Sequence, residues 1–189
     1  MKELQQFHIG IAGAGGLGSN AAIALVRSDV KNLTIADFDC VAESNLNRQY
    51  YFADQIGKPK VEALRENIFR IYSDVNLKIH FTKVTPHNFK ELYADCDLII
   101  EAFDKAEEKV MLIEEMMKYF PEKPLIIGSG LAGWGRSNDI RMEQIGNIII
   151  CGDSISEIGE HHPPLAPRVG MTANMQANEA LRILLGMIQ

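Results

Sequence analysis

Arg48 and Lys60 stand downstream of a glycine-rich loop, Gly13-Ala14-Gly15-Gly16-Leu17-Gly18, in positions that a protein merely holding a dinucleotide would not need to make cationic. Such a loop offers free backbone N–H groups at a helix start, which attract a phosphate. Gly13 permits the tight turn, Gly15 lets the backbone approach the anion, Gly18 lets the helix pack closely on the strand, and Gly16 belongs to the same cradle. Asp37 follows about 20 residues later, where an acid accepts hydrogen bonds from ribose hydroxyls and favours a nucleotide without a 2′-phosphate. Loop and acid together read as an adenine-nucleotide site. Arginine and lysine suggest in addition that the phosphate is reacted, because fixed cations stabilise the charge that gathers on a phosphoryl group in transfer. The plainer readings are surface cations for Arg48 and Lys60 and helix caps for Asn45 and Asp104.

These residues need a scaffold. Residues 7–12 form a short apolar strand entering the loop, residues 17–28 a helix, and residues 32–37 a second strand ending in Asp37, a β-loop-α-β unit. Val61, Leu64, Ile68 and Ile71 recur at helical spacing within 57–72. Residues 75–81 alternate as a strand, 97–102 read as a buried strand, 105–119 as a charged helix and 125–128 as the next parallel strand. The expected class is α/β: a Rossmann-like, mostly parallel sheet with helices on both faces. Beyond Gly128, residues 139–143 and 148–151 read as antiparallel strands joined around Gly146-Asn147. An irregular crossing segment, 154–167, then leads to a final helix, 171–185, closed by Gly186. With 189 residues, 47% of them hydrophobic, one domain spanning 1–189 is expected.

A formal net charge of -6 and no dense basic block argue against a nucleic-acid partner. No apolar run of about 18 residues occurs and the N-terminus is polar, so the expected location is cytoplasmic. Cys40, Cys96 and Cys151 form no C-x-x-C pair, no structural zinc is expected, and each reads as a small buried residue. Cys151, at a strand end, is the one thiol placed for display. The adjacent His161 and His162 read as solvated loop, and Met116 and Met117 as core and dimer packing.

Taken in order, the glycine loop, Asp37-Phe38-Asp39, Ser44-Asn45-Leu46-Asn47-Arg48-Gln49, Gly57-Lys58-Pro59-Lys60 and Asp104 resemble the ThiF/MoeB/HesA family, bacterial relatives of the ubiquitin-activating enzymes. Pro167-Arg168-Val169-Gly170 and Gln176-Ala177-Asn178-Glu179-Ala180 extend the resemblance over nearly the whole chain, which is most similar to short ThiF-like proteins linked to thiamine biosynthesis. The resemblance implies an adenylyltransferase that uses ATP and Mg²⁺ to activate the C-terminal glycine carboxylate of a ubiquitin-like sulfur carrier protein ending in Gly-Gly, working as a homodimer. By the same match Arg48 stabilises the reacting phosphate, Asn45 contacts the phosphates, Lys60 holds the polyphosphate leaving group and Asp104 binds Mg²⁺. Asp39 and Gln49 shape the pocket, and Trp134, past a parallel strand, either touches the carrier's tail or packs.

Some features depart from the pattern. Lys105 replaces a common asparagine, residues 1–7 carry no arginine arm, and the crossing segment holds no cysteine. Three other readings stay open: an adenylating enzyme like the tRNA threonylcarbamoyladenosine dehydratases, a nucleotide-binding module without turnover, and an NAD-dependent oxidoreductase, which would leave Arg48 and Lys60 unexplained.

Overall fold

The computed structural model describes residues 2–159 and 161–187, so Met1 of the polar N-terminus and Glu160 of the crossing segment lie outside the described residues. Seven strands make one sheet: β1 (His8–Ala12), β2 (Asn32–Asp37), β3 (Asn76–Phe81), β4 (Leu98–Glu101), β5 (Leu125–Gly128), β6 (Arg141–Ile145) and β7 (Ile148–Gly152), in the order β3-β2-β1-β4-β5-β7-β6. The order reverses between β1 and β4, and their carboxyl ends open a crevice there, the usual ligand position in such sheets.

Central strands of a parallel sheet are covered on both faces and read as near-continuous apolar runs. Every residue of β4 is buried accordingly, whereas the edge strand β3 has only exposed and half-buried residues. Helices α1 (Gly16–Arg27), α2 (Lys60–Phe69) and α5 (Ala166–Gly186) bury Leu17, Leu25, Leu64, Ile68 and Leu184 in one core cluster. The short α3 (Phe89–Tyr93) and α4 (Ala106–Tyr119) bury Phe89, Tyr93, Leu112 and Met116 in another.

The structure refines several sequence expectations. The parallel order continues through β7, which pairs with β5 from Leu125↔Ile148, and only β6 runs antiparallel, from Ile145↔Ile148. Gly146, at φ 58°, supplies the left-handed turn between them. The last helix begins at Ala166 and not at 171, because Pro167 falls in its first turn, where the missing N–H costs no intrahelical bond. Met116 is buried, while Met117 is exposed. Cys96 and Cys151 are buried, but Cys40 is exposed: it lies in the loop after β2, bridged to Pro59 by backbone alone. Among the described residues no helix is long and apolar enough to cross a membrane.

Candidate functional site

The glycine loop takes its shape from contacts that admit no side chain. Gly13 has φ 100°, and a Cβ there would stand 2.8 Å from the Ala102 carbonyl oxygen of the neighbouring turn. A Cβ on Gly18 would fall on the Gly13 carbonyl oxygen, so this glycine lets α1 turn back on the loop. Asp37 then pins the loop from β2: Oδ2 accepts the Ala14 N–H at 2.6 Å, and Oδ1 accepts the Asp39 N–H at 2.8 Å. Burial raises the Asp37 pKa although both amides and nearby Lys60 favour its charged form.

Three side chains fasten the segment around Arg48 to this loop. Ser19 Oγ donates to the Gly15 carbonyl at 2.6 Å and accepts the Tyr50 N–H at 3.0 Å. Asn20 Nδ2 donates to the Arg48 carbonyl at 2.8 Å, and the buried Tyr51 hydroxyl donates to the Ala14 carbonyl at 2.6 Å. Burial pushes the Tyr51 pKa well above the ordinary phenol value, so it stays a neutral donor. The Arg48 guanidinium is aimed by its neighbours, with Nη1 donating to Ser44 O at 3.1 Å and Asn47 Oδ1 at 2.7 Å.

A cavity of about 1020 Å³ lies over the carboxyl ends of β1, β2, β4 and β5. Its wall carries Gly13, Gly15, Gly16, Asp37, Asp39, Arg48, Gln49, Lys60 and Asp104. Lys60 is 7% exposed at its side chain, and Nζ stands 2.7 Å from Asp39 Oδ2. Gln49 is buried, and among the described residues its Oε1 has no hydrogen-bond partner, an acceptor open to a ligand donor. Asp104 is exposed and makes no hydrogen bond or ion pair with any described residue.

Two expected residues are not on the wall. Gly18 packs beneath the loop, and Asn45 turns its carboxamide oxygen to the Ala42 N–H at 2.9 Å, capping the local turn. Ser44 and Asn47 line the cavity on that side.

The sequence reading missed Lys109. From the first turns of α4 its Nζ reaches Glu101 Oε1 and Oε2 at 2.9 and 2.8 Å and the Gly128 carbonyl at 3.1 Å. Glu101 ends β4 with no exposure, and burial raises its pKa against the pull of Lys109. Its Oε1 also accepts the Phe103 N–H at 2.6 Å, which fixes the turn leading to Asp104. The available signal was an acid at a strand's carboxyl end, followed by a lysine in the next helix. Lys83 and Phe38 also line the cavity, with Lys83 Nζ 5.5 Å from the Phe38 ring and 3.0 Å from Glu108 Oε1.

The residues present fit magnesium in one manner. Among the described residues no group of three His, Cys, Asp or Glu converges on a point, so no protein cage exists. Mg²⁺ needs no such cage: it is commonly held by one or two carboxylates together with substrate phosphates and water. Asp104, unpaired on the cavity wall, is a carboxylate of that kind. Cys151 is fully buried at the end of β7, and burial pushes its thiol pKa up to about 12, so it is not displayed to the cavity. Trp134 is exposed and stacks on His162, with ring centroids 6.0 Å apart, so the loop after β5 and the crossing segment meet through these rings.

The sequence profile of the ThiF family matches residues 1–189. The sulfur carrier protein ThiS adenylyltransferase of Bacillus subtilis is 30% identical over 98% of this chain and 56% of its own length. The molybdopterin-synthase adenylyltransferase of Escherichia coli is 30% identical over 97% of this chain and 75% of its own. The chain spans 44% of the length of a Meyerozyma guilliermondii adenylyltransferase and sulfurtransferase, UBA4, and 32% of that of a Mycobacterium tuberculosis one, MoeZ. The solved structure of E. coli tRNA N6-threonylcarbamoyladenosine dehydratase in complex with AMP superposes with a TM-score of 0.87, covering 99% of this chain and 90% of that one. At 22% identity this likeness shows the fold alone.

Proposed function

The chain belongs to the ThiF family, and from that premise we propose that it is an ATP-dependent adenylyltransferase acting on the C-terminal glycine carboxylate of a ubiquitin-like sulfur carrier protein, in the manner of a ThiS-activating enzyme of thiamine biosynthesis. One observation carries the reading: Arg48, Lys60 and Asp104 come from three separate segments, yet all line the cavity that holds the glycine loop. Relatives that are adenylyltransferases, and fold neighbours solved in complex with AMP and with ATP, support ATP as the nucleotide.

In the proposed reaction a carboxylate oxygen bonds to the α-phosphorus while the bond to the oxygen bridging the β-phosphate breaks. Pyrophosphate leaves and an acyl adenylate remains. Backbone N–H groups at the start of α1 would bind the phosphates. Arg48, already oriented by Ser44 and Asn47, would stabilise the charge on the transferring group without having to reorganise. Lys60 would hold the leaving pyrophosphate, and the free Gln49 oxygen would accept a donor of the nucleotide. Asp104 would hold Mg²⁺, which when bound supplies charge neutralisation on the phosphates. A homodimer and a cytoplasmic location belong to the same proposal.

The test is ATP–pyrophosphate exchange by the purified chain with magnesium, with and without a ubiquitin-like carrier ending in Gly-Gly. Carrier-dependent exchange is expected. Exchange that answers only to tRNA would favour an acceptor like that of the dehydratase relatives, and ATP binding with neither response would favour a non-catalytic nucleotide-binding module.

A further inference from the structure

The first turn of α5 carries one partner of a buried ion pair, Arg168 with Asp153, off the cavity wall but next to Val169 and near Ser156, which line it. Arg168 Nη2 donates to Asp153 Oδ2 at 2.6 Å, and the two side chains are 3% and 2% exposed. The other arm of the guanidinium, Nη1, donates to the carbonyls of Gly135 at 2.8 Å and Arg136 at 3.3 Å, in the loop after β5. Asp153 Oδ1 accepts the N–H groups of Ile155 at 2.9 Å and Ser156 at 2.7 Å, in the segment crossing from β7 to α5. Two side chains thus tie three stretches of chain, two of which also meet through the Gly133 N–H donating to the Pro163 carbonyl at 2.9 Å and the Ala132 N–H donating to Ser156 Oγ at 3.1 Å.

Those stretches are strained where the pair holds them. Arg136 and Ser154 have φ of 50° and 59°, a left-handed backbone that side chains other than glycine adopt only when their surroundings enforce it. Leu131, Ser156 and Ile158 of the same stretches line the nucleotide cavity. Val169, next to Arg168, packs against the start of α1, where a Cβ on Gly16 would stand 2.9 Å from its Cγ1.

A buried ion pair is a poor device for stability alone, since apolar residues of equal volume often do as well. The Arg168 Nε moreover has no partner among the described residues. Position is what the pair gains.

We propose that Arg168 and Asp153 are positioning residues that latch the loop after β5 and the crossing segment together, setting the cavity mouth through which the second substrate reaches the nucleotide. This rests on the adenylyltransferase reading for its kinetic consequence, though not for its structural one.

The test uses Arg168→Lys, which keeps the charge but loses the fork, and Asp153→Asn, which can still accept an N–H. ATP binding by calorimetry is expected to stay within about twofold of wild type, while the Gly-Gly carrier concentration giving half-maximal ATP–pyrophosphate exchange rises on the order of tenfold or more. An unchanged carrier requirement, or ATP affinity lost in equal measure, overturns the latch. Trp134 is the only tryptophan of the chain and stacks on His162 across the two latched segments, so its emission reads their arrangement directly. A red-shifted, more readily quenched emission is expected in both variants, with far-ultraviolet circular dichroism unchanged. Wild-type emission in Arg168→Lys would overturn the latch whatever the exchange assay gives. Absence of carrier-dependent exchange in wild type, with the Trp134 change present, would overturn the adenylyltransferase reading and leave the latch standing.

Discussion

Asp37 Oδ2 accepts the backbone N–H of Ala14 at 2.6 Å, so the last residue of β2 fixes the middle of the glycine loop. In the sequence Asp37 reads as a ribose acceptor; in the fold both its oxygens are first engaged by backbone amides. Asp37→Ala leaves those amides without their acceptor. A loss of about 1–3 kcal/mol in urea unfolding is expected, accompanied by weaker ATP binding in calorimetric titration. Full ATP affinity in this variant would mean that the loop keeps its shape without Asp37.

Arg48 is held by Ser44 and Asn47 before any ligand arrives. Preorganised cations act chiefly where charge develops, so Arg48→Ala is expected to lower the rate of adenylate formation by roughly 10²–10³-fold. ATP binding should weaken far less. Rapid-quench single turnover beside equilibrium binding separates the two, and equal losses in both would assign Arg48 to binding alone.

Asp104 stands on the cavity wall without a partner among the described residues. Asp104→Ala should raise the magnesium concentration needed for half-maximal exchange, because one carboxylate of the expected set is gone. A magnesium titration matching that of wild type would remove the residue from the metal site.

The three thiols differ in access. Thiolates are the reactive form, and burial pushes Cys96 and Cys151 up to about 12, which leaves on the order of one in 10⁴ ionised at pH 8. Cys40 is exposed. Mass spectrometry after brief iodoacetamide treatment at that pH should find label on Cys40 alone in the native chain and on all three in urea. Early labelling of Cys151 would restore it as a candidate for chemistry.

Acid should weaken the fold through Asp153. Burial opposes its ionisation, yet the Ser156 and Ile155 amides and Arg168 outweigh burial and hold its pKa below the ordinary 3.8. A carboxyl depressed in the folded state contributes stability that is complete above its unfolded pKa and lost as pH falls through the folded one. Asp153→Asn should therefore be less stable than wild type at pH 7, by about 3 kcal/mol for a broken buried pair. The gap should narrow below pH 3.8. Urea melts at several pH values check this, and a gap constant down to pH 2 would show that the charge of Asp153 is not what stabilises it.

Local chemistry made much of this molecule legible in its sequence. Short apolar runs such as Leu125-Ile126-Ile127-Gly128, bounded by turn residues and alternating with helical stretches, read as covered strands of a parallel sheet, and Gly13 and Gly18 mark a turn that admits no Cβ. The motif residues Arg48, Lys60 and Asp104 were legible as a set because each sits in a short signature whose order is itself informative. Pro167 was misleading, since it reads as the end of the irregular crossing segment while an opening helical turn accepts it. Asn45 was drawn to the phosphates by its signature, yet its side chain answers the nearest amide, a choice made over three residues of backbone.

The sequence by itself determined the class of the sheet, the glycine cradle and which cations stand near it, because these depend on side-chain size, backbone freedom and spacing along one stretch of chain. Only the tertiary structure decided that Ser19, Asn20 and Tyr51 lash the Arg48 segment to the loop, that Lys109 closes on Glu101, and that Arg168 meets Asp153. Each of those contacts satisfies a buried polar group with a partner from a distant segment or the next element. The pairing is settled only when the sheet order brings the strand ends together and removes water as the competing partner.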